Sequence, residues 1–385
     1  MRLADNPYSP GAGLRPAVLA GREPELEAFE AILQRGELGR SLRGLMVTGL
    51  RGVGKTVLVN EFARAAVARD WIVVQLEVRP GGDTAMLSGL AARLQAELGL
   101  RGKASTALKR ALRSITAFSL TVDPGGSIGA SVERATGVGG DLELDFASLA
   151  VDVGAAALES GVGVAVFIDE MQELDKSVLA SVAAAAHAAG QRTVPFVVVG
   201  AGLPNLPGRL ADAKSYAERL FEYRPLGKLD PATAAAALIG PAAEGGVSWE
   251  PAALRRIVGV SGGYPYFLQE FGAATWNVAA GPVITAHDAE NGKLLGSATL
   301  DAGFFRARWE RATPIERRYL RAMADDGGAG SRTQDVAARL DRSQSALGPT
   351  RAGLIGKGLV YAPEFGVVAF TTPAMSDFIR RQHDD

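Results

Sequence analysis

The sequence predicts an α/β fold in which a parallel β-sheet carries helices on both faces, and two observations support this class. Between residues 21 and 232, short apolar stretches alternate with longer segments of helical periodicity, a pattern typical of a parallel sheet with crossover helices. A glycine-rich turn joins the first of these stretches to a helix-forming segment. The expected strands are 45–48, 72–78, 164–168, 196–199 and a short one near 222–226.

The turn after the first expected strand matches a phosphate-binding loop. Residues 49–56 read Gly-Leu-Arg-Gly-Val-Gly-Lys-Thr and fit the pattern G-x-x-x-x-G-K-[ST] without a gap. The glycines allow a tight turn whose N–H groups point inward and form an anion nest at a helix N-terminus. We expect Lys55 to reach the β- and γ-phosphates and the Thr56 hydroxyl to ligate Mg²⁺. The residues expected to bind nucleotide in this loop are Gly49, Leu50, Arg51, Gly52, Val53, Gly54, Lys55, Thr56 and Val57.

A second motif follows downstream, where residues 164–170 read Val-Ala-Val-Phe-Ile-Asp-Glu. A continuous apolar run that ends in two carboxylates predicts a buried parallel strand whose C-terminal end reaches the nucleotide. We expect Asp169 to hold Mg²⁺ through its water shell and Glu170 to polarise the attacking water. The two motifs together predict a P-loop NTPase that hydrolyses ATP or GTP, with Lys55 and Glu170 as catalytic residues.

Composition limits the class of protein further. A chain of 385 residues is expected to form two or three domains. The net charge of −1 excludes a global field that would draw the molecule to nucleic acid, so any basic surface must be local. The chain has no cysteine, which excludes disulfides and thiol chemistry. Neither a signal peptide nor a long apolar segment occurs, which predicts a cytoplasmic protein.

The chain divides into four expected parts and one insertion. Residues 1–20 form an arm rich in proline and glycine, and residues 21–232 form the nucleotide-binding domain. Residues 233–298 are alanine-rich and amphipathic, which predicts a helical lid without strands. Residues 303–385 form a last domain. A hairpin is expected at about 115–135, because residues 118–122 and 128–132 alternate in polarity around a Pro-Gly-Gly turn. It is either a projecting element that touches DNA or a neighbouring subunit, or a surface excursion.

The last domain is expected to be a winged helix-turn-helix. A helix begins at Thr313-Pro314, a combination of N-cap and first-turn proline. A second helix is expected at 333–340, and a third runs to about Lys357, with Pro349 bending it or marking its first turn. Two strands around residues 363–366 then form the wing. This order is that of winged-helix DNA binders, which place the third helix in the major groove.

The partner of this winged helix stays open between DNA and protein. Residues 303–385 contain thirteen arginines and lysines against ten aspartates and glutamates, a modest excess. Double-stranded DNA is a possible partner through residues 313–370, mainly through phosphate contacts. The candidate DNA contacts are Arg342, Gln344, Ser345, Thr350 and Arg351. Winged helices also contact proteins or their own chain, and Glu364 at the wing tip opposes DNA.

Beyond these motifs, the chain resembles AAA+ ATPases, and more narrowly the archaeal-type and origin-recognition-like (AAA_16-like) branch. The resemblance rests on the loop at 49–56, the Asp-Glu-Met-Gln motif at 169–172 and the Gly-Arg-Glu box at 21–23. It implies that Gly21 and Arg22 lie against the adenine. Residues 262–269 resemble the G-x-P signature of archaeal-type and STAND signalling ATPases, which implies that Pro265 contacts the nucleotide.

Two departures from the AAA+ pattern concern its sensors of nucleotide state. The fourth strand ends in Gly200-Ala201-Gly202 instead of a polar sensor of the γ-phosphate, and Asn205 is a weak substitute. The lid has Tyr264-Pro265 in place of a sensor arginine. Both departures indicate slow turnover, which suits a switch better than a continuous motor.

The resemblance also places Arg219 in the segment that carries the arginine finger of the family. Arg219 would supply a cation to a neighbouring active site, which implies a nucleotide-dependent homo-oligomer. The alternative is a local ion pair between Arg219 and a nearby carboxylate such as Glu222. Two functions follow from these patterns: an ATP-dependent, DNA-associated switch, or a STAND-like signalling switch whose winged helix contacts protein. Both require ATP and Mg²⁺.

Overall fold

The computed structural model describes residues 1–79, 83–101, 106–122 and 141–382. The chain forms two compact units. The first, which we call the sheet unit, contains Pro24–Thr48 and Leu58–Pro225. The second, which we call the loop-and-lid unit, contains Met1–Glu23, Gly49–Val57 and the chain from Leu226 onward.

A five-stranded parallel sheet forms the centre of the sheet unit. Its strands are β1 Gly44–Thr48, β2 Ile72–Glu77, β3 Val164–Asp169, β4 Phe196–Gly202 and β5 Phe221–Pro225. They lie in the order β2-β3-β4-β1-β5, and all neighbouring pairs are parallel. The apolar runs of the central strands are buried along their length, as expected for strands that are covered on both faces. The five strands expected from the sequence are therefore confirmed.

Helices cover this sheet and bury its apolar faces. They are α1 Glu23–Glu37, α2 Lys55–Ala68, α3 Asp83–Arg101, α4 Thr106–Val122, α5 Leu142–Glu159, α6 Lys176–Arg192, α7 Leu206–Ala213 and α8 Ala217–Leu220. In the core, the rings of Phe29 and Phe62 stack with centroids 4.7 Å apart, and Phe29 also contacts Phe167 of β3. Helices α1 and α2 are thereby fixed to the central strands.

The strand expected at residues 118–122 is wrong, because these residues form the end of helix α4. Ala111, Ile115 and Phe118 are buried at helical spacing, and Phe118 packs against Phe146 of α5 with ring centroids 5.2 Å apart. An alternation over five residues is too short to distinguish a period of 2 from one of 3.6. The amphipathic pattern over the whole of α4 is longer and has the period of a helix. The remainder of the expected hairpin, residues 123–135, lies outside the described residues.

The lid region consists of α9 Pro231–Glu244, α10 Pro251–Ser261, α11 Pro265–Val278 and α12 Ala286–Thr299. It also contains two short strands, β6 Ser248–Trp249 and β7 Val283–Ile284, which pair in parallel. The expectation of a lid without strands is therefore wrong in this detail, since two-residue strands leave no periodic signal. The N-terminal arm packs on these helices, and the hydroxyl of Tyr8 donates to the carbonyl oxygen of Leu238 at 2.6 Å.

The C-terminal segment has the three helices and the hairpin in the expected order. After a π-helical turn at Leu300–Phe305 come α13 Arg306–Trp309, α14 Pro314–Ala324, β8 Ser331–Arg332, α15 Thr333–Arg339, α16 Gln344–Gly356, β9 Val360–Tyr361, β10 Val367–Phe370 and α17 Met375–Arg380. The three strands form an antiparallel sheet in the order β8-β10-β9. Thr313 caps α14 in a capping box with Glu316, and Pro349 lies inside α16. None of the described helices combines the length and apolar character needed to span a membrane.

Candidate nucleotide-binding site

The glycine-rich loop lies between β1, which ends at Thr48, and α2, which begins at Lys55. Gly52 and Gly54 adopt φ angles of 83° and 92°, a region that side chains disfavour. A Cβ at Gly49 would lie 2.5 Å from the carbonyl oxygen of Leu226, so this position also requires glycine. The motif residues therefore have the backbone conformation and close approach that explain their identity.

Lys55 is buried at the first turn of α2, with 7% of its surface exposed. Its ammonium group donates to the carbonyl oxygens of Gly49 at 2.9 Å and Leu50 at 3.0 Å. Lys55 thus contacts the loop with which, according to the motif, it would bind phosphate. A buried cation held by neutral carbonyl oxygens fits an anionic ligand, because phosphate oxygens are stronger acceptors of its hydrogen bonds.

Arg22, which directly precedes α1 in the chain, contacts this loop through its side chain. It is buried, and its guanidinium donates to the carbonyl oxygens of Val53 at 3.2 Å and Gly227 at 3.0 Å. Gly21 precedes it with a φ of 67°, and a Cβ there would lie 2.6 Å from the methyl carbon of Thr233. The structure therefore assigns Gly21 and Arg22 a close contact with the loop and the lid. Their predicted approach to adenine remains a proposal.

The start of α11 binds the loop through its main chain. Pro265 occupies the first turn of the helix, and the N–H of Tyr266 donates to the carbonyl oxygen of Gly52 at 3.1 Å. Gly263 has a φ of 76° and accepts a hydrogen bond from the N–H of Leu229 at 2.8 Å. The Gly-Gly-Tyr-Pro segment, singled out in the sequence, is thus placed directly against the phosphate-binding loop.

The C-terminal segment also contacts the loop, which the sequence did not predict. The N–H of Arg51 donates to the carbonyl oxygen of Thr371 at 2.9 Å. Thr371 follows β10, and its hydroxyl donates to the carbonyl oxygens of Gly358 at 2.8 Å and Leu359 at 3.2 Å. A Cβ at Gly358 would lie 3.1 Å from the guanidinium of Arg51. Because the hydrogen bond between Arg51 and Thr371 uses main-chain atoms, no pattern of residue types predicts it.

Arg308 is a further basic residue near the loop, and no sequence pattern indicated it. Its guanidinium lies 4.0 Å from the ring centroid of Phe304, and it donates to the carbonyl oxygen of that residue at 2.6 Å. Burial, followed by the positive charge of Arg51, lowers the pKa of Arg308 to about 10. Phe304 in turn stacks on Tyr266 with centroids 4.9 Å apart. An arginine in an ordinary helical stretch gives no sequence signal for such burial.

In the sheet unit, the acidic motif follows β3 as expected. Asp169 is the last residue of the strand, and its Oδ1 accepts from the N–H of Glu170 at 2.8 Å. Glu170 adopts a φ of 56°, in the left-handed region that few non-glycine residues visit. Such strain is often found at functional positions. One carboxylate oxygen of Glu170 accepts a hydrogen bond from Gln172.

The glycines at the end of β4 have a packing reason. A Cβ at Gly200 would overlap the sulfur of Met171, which directly follows Glu170. A Cβ at Gly202 would lie 3.0 Å from Oε1 of Gln172. The strand therefore has glycine where the family pattern has a polar sensor, because the acidic motif packs against it. Nearby, the side-chain oxygen of Asn205 is buried without a hydrogen-bond partner in the described chain.

Arg219 lies exposed on the short helix α8. The local ion pair considered for it is not formed, because Glu222 pairs with Arg224 instead. The structure thus leaves the cation of Arg219 at the surface of the sheet unit.

Comparisons with known proteins agree with this geometry. Residues 18–199 match the family AAA_16, described as "AAA ATPase domain", and residues 302–379 match DUF8462, described as a domain of unknown function. The fold is similar to that of the Walker-type ATPase PABY2304 of Pyrococcus abyssi, with a TM-score of 0.56, 16% identity, and coverage of 95% of this chain and 97% of that chain. No curated protein matches the chain significantly.

Two further solved structures are similar at a lower level. One is the Thermotoga maritima RuvB Holliday junction branch migration motor, with a TM-score of 0.47, 17% identity, and coverage of 97% of this chain and 100% of that chain. The other is Aeropyrum pernix ORC1 in complex with DNA, with a TM-score of 0.48, 12% identity, and coverage of 94% and 93%.

The AAA ATPase match covers strand β1, the glycine-rich loop and the acidic motif. The likeness to PABY2304 concerns the fold alone and extends over nearly the whole chain. Together with the geometry of residues 49–56, these findings support an AAA+ P-loop ATPase.

Proposed function

We propose that this chain is an ATP-hydrolysing switch in which nucleotide binding is coupled to a C-terminal winged helix that contacts DNA. One observation carries the proposal. The Leu50–Arg51 peptide group accepts a hydrogen bond from Lys55 through its carbonyl oxygen and donates one to Thr371 through its N–H. Lys55, which is expected to bind phosphate, and Thr371, which lies in the C-terminal segment, are therefore hydrogen-bonded to the same rigid, planar peptide group.

The chemistry of nucleotide binding follows from the loop. Its main-chain N–H groups and the helix N-terminus would hold the phosphates, and Lys55 would leave the carbonyl oxygens of Gly49 and Leu50 for a charged acceptor. Thr56 and Asp169 would hold Mg²⁺, which neutralises charge on the phosphates. Glu170 would orient the attacking water.

Movement of Lys55 gives the switch its physical basis. When the ammonium leaves Leu50, the peptide group loses one of its two fixed ends and can rotate. Any rotation changes the hydrogen bond between Arg51 and Thr371, because the N–H and the carbonyl of one peptide group move together. Nucleotide binding would therefore weaken the hold of the loop on the C-terminal segment.

The surface of the C-terminal segment supports contact with DNA backbone. Arg342, Gln344 and Ser345 are exposed at the start of α16, where side chains of a winged helix would meet the duplex. Thr350 and Arg351 are half-buried on the same helix, so they contribute less contact area. Phosphate contacts from this set fit a weak, salt-sensitive interaction.

The fully exposed side chain of Phe365 favours a second candidate function. This residue lies beside Glu364 in the turn between β9 and β10 and has an exposure of 105%. An exposed aromatic ring beside an acidic group suits a protein partner better than a phosphate backbone. The alternative is therefore a STAND-like signalling switch whose winged helix contacts protein.

ATPase assays on matched variants test the proposal. We expect magnesium-dependent turnover in the native chain, ATP binding without turnover in Glu170→Gln, and no ATP binding in Lys55→Ala. Stimulation by duplex DNA that disappears as salt rises supports the DNA-associated switch. ATP-driven assembly in mass measurements, with no response to DNA, supports the signalling switch. Normal turnover in Glu170→Gln contradicts the assignment of Glu170.

A further inference from the structure

Gln172 is a buried polar residue of the acidic motif to which the predicted mechanism gives no role. Only 5% of its surface is exposed. Its Nε2 donates to the carboxylates of Glu170 and, at 3.2 Å, Glu173, and its Oε1 accepts from the N–H of Leu203 at 3.0 Å. The orientation of the amide is fixed by chemistry, because a backbone N–H can only donate and an ionised carboxylate can only accept.

The main chain around Gln172 is anchored as firmly as its side chain. The guanidinium of Arg209, on α7, donates to the carbonyl oxygen of Gln172 and, at 2.7 Å, to that of Leu174. Leu203, the partner of the Gln172 side chain, directly follows β4. Gln172 is therefore tied to two neighbouring elements and has little freedom to follow movements of Glu170.

Glu170 needs such an anchor. It lies outside regular structure, in a left-handed backbone conformation, and its side chain has several rotatable bonds. A charge-assisted hydrogen bond from a fixed donor selects one position of the carboxylate.

We propose that Gln172 is a positioning residue for ATP hydrolysis, which holds the Glu170 carboxylate while its own amide is anchored to Leu203 after β4. The inference rests on the proposed function, because it assigns Glu170 the activation of water. A carboxylate that activates water must be placed within a fraction of an ångström, and misplacement by about 1 Å costs roughly 100-fold in rate. Gln172 therefore acts on turnover and not on nucleotide affinity.

Gln172→Glu separates this role from mere filling of the interior. The variant keeps the side-chain volume and the acceptor for the Leu203 N–H, but replaces the donor to Glu170 with a second carboxylate. We expect kcat to fall by about 10- to 100-fold while KM stays close to native, even though the added buried carboxylate lowers the melting temperature. Gln191→Glu on α6, where the side chain is exposed, is the matched control and should leave kcat unchanged.

A double-variant cycle completes the test. In single-turnover assays long enough to resolve the residual rate of Glu170→Gln, Gln172→Glu should cause no further loss in that background, because both changes remove the same function. Gln172→Met, which lacks both polar ends, keeps the test available if the glutamate variant does not fold, and it too should lower kcat only when Glu170 is present. A native kcat in the folded variants, or an equal loss in both backgrounds, overturns the proposal. If the native chain has no turnover that Glu170→Gln abolishes, the proposed function itself fails.

Discussion

Lys55 and Thr371 bind opposite ends of a single peptide group. The Lys55 ammonium donates to the carbonyl oxygen of Leu50 at 3.0 Å, and the N–H of Arg51 in the same group donates to the carbonyl oxygen of Thr371 at 2.9 Å. Because the peptide group is planar and rigid, neither bond can change its direction without affecting the other. A local event at the phosphate-binding loop can thus reach a residue 320 positions away in the chain.

The hydroxyl of Thr371 should determine how firmly the loop is held. Thr371→Val keeps the carbonyl that Arg51 uses but removes the single O–H donor that Gly358 and Leu359 share. We expect a loss of about 1–2 kcal/mol in stability and faster hydrogen exchange at the Arg51 amide, measured by NMR or mass spectrometry.

Thr372 provides the matched control beside it. Its hydroxyl is buried without a hydrogen-bond partner in the described chain. Thr372→Val should therefore leave the stability unchanged or raise it by about 1 kcal/mol, with native exchange at Arg51. Equal effects of the two substitutions would show that the hydrogen bonds of Thr371 are unimportant.

Nucleotide binding should release the same amide. If phosphates draw the Lys55 ammonium away from Leu50, magnesium-ATP should speed exchange at the Arg51 N–H. Lys55→Met should produce the faster exchange without any nucleotide, because the ammonium is absent. Lys228→Met, at an exposed position, should behave like the native chain. Slower exchange at Arg51 in the presence of ATP would contradict the coupling of Lys55 to Thr371.

The lid glycines offer a steric test of the contact between α11 and the loop. Gly263 has a φ of 76°, and a Cβ would overlap the carbonyl oxygen of Leu229. Gly263→Ala should therefore lower stability by about 2 kcal/mol or more and weaken ATP binding, as measured by thermal unfolding and calorimetry. Gly259→Ala, in α10 with open space around its Cβ, should be neutral or stabilising by up to about 1 kcal/mol. Similar losses in both variants would exclude a specific steric role.

Local sequence patterns predicted much of the fold and the loop, and the reasons are physical. Buried parallel strands are continuous apolar runs, and a phosphate-binding loop needs its glycines and lysine close together in sequence. The bond between Arg51 and Thr371 had no such signal, since main-chain atoms are common to all residues. Gln172 was visible in the motif, but its function depends on Leu203, which only the pairing of β3 with β4 brings near.

Glu316 should make the stability of the C-terminal segment depend on acidic pH. Burial raises the pKa of this carboxyl, but hydrogen bonds from Lys357 and Thr313 outweigh burial, so the pKa lies below its ordinary value of 4.5. A lowered pKa in the folded state gives stability that is present above pH 4.5 and is lost as the pH falls through the folded pKa. Glu316→Gln should cost about 1–2 kcal/mol at neutral pH, and the difference from native should shrink below pH 4.5 in chemical unfolding curves.

Glu310→Gln is the control for this pH dependence, because Glu310 is exposed at the end of α13. The free energy of unfolding of Glu310→Gln should stay within about 0.5 kcal/mol of native at each pH. A constant difference between Glu316→Gln and the native chain down to pH 3 would mean that the Lys357 contact does not favour the ionised carboxylate.

Arg219 should act on a neighbouring copy of the chain if it is an arginine finger. Its side chain is exposed and Glu222 is paired elsewhere, so Arg219→Ala should leave stability and ATP affinity near native while lowering kcat by about 1,000-fold. Arg192→Ala, at an exposed position in the last turn of α6, should keep native turnover. Mixing Arg219→Ala with Glu170→Gln discriminates further, because an assembly that joins an intact Glu170 from one copy to an intact Arg219 from the other regains activity. Absence of regained activity in mixed assemblies of confirmed stoichiometry, or native turnover in Arg219→Ala alone, would rule out action in trans.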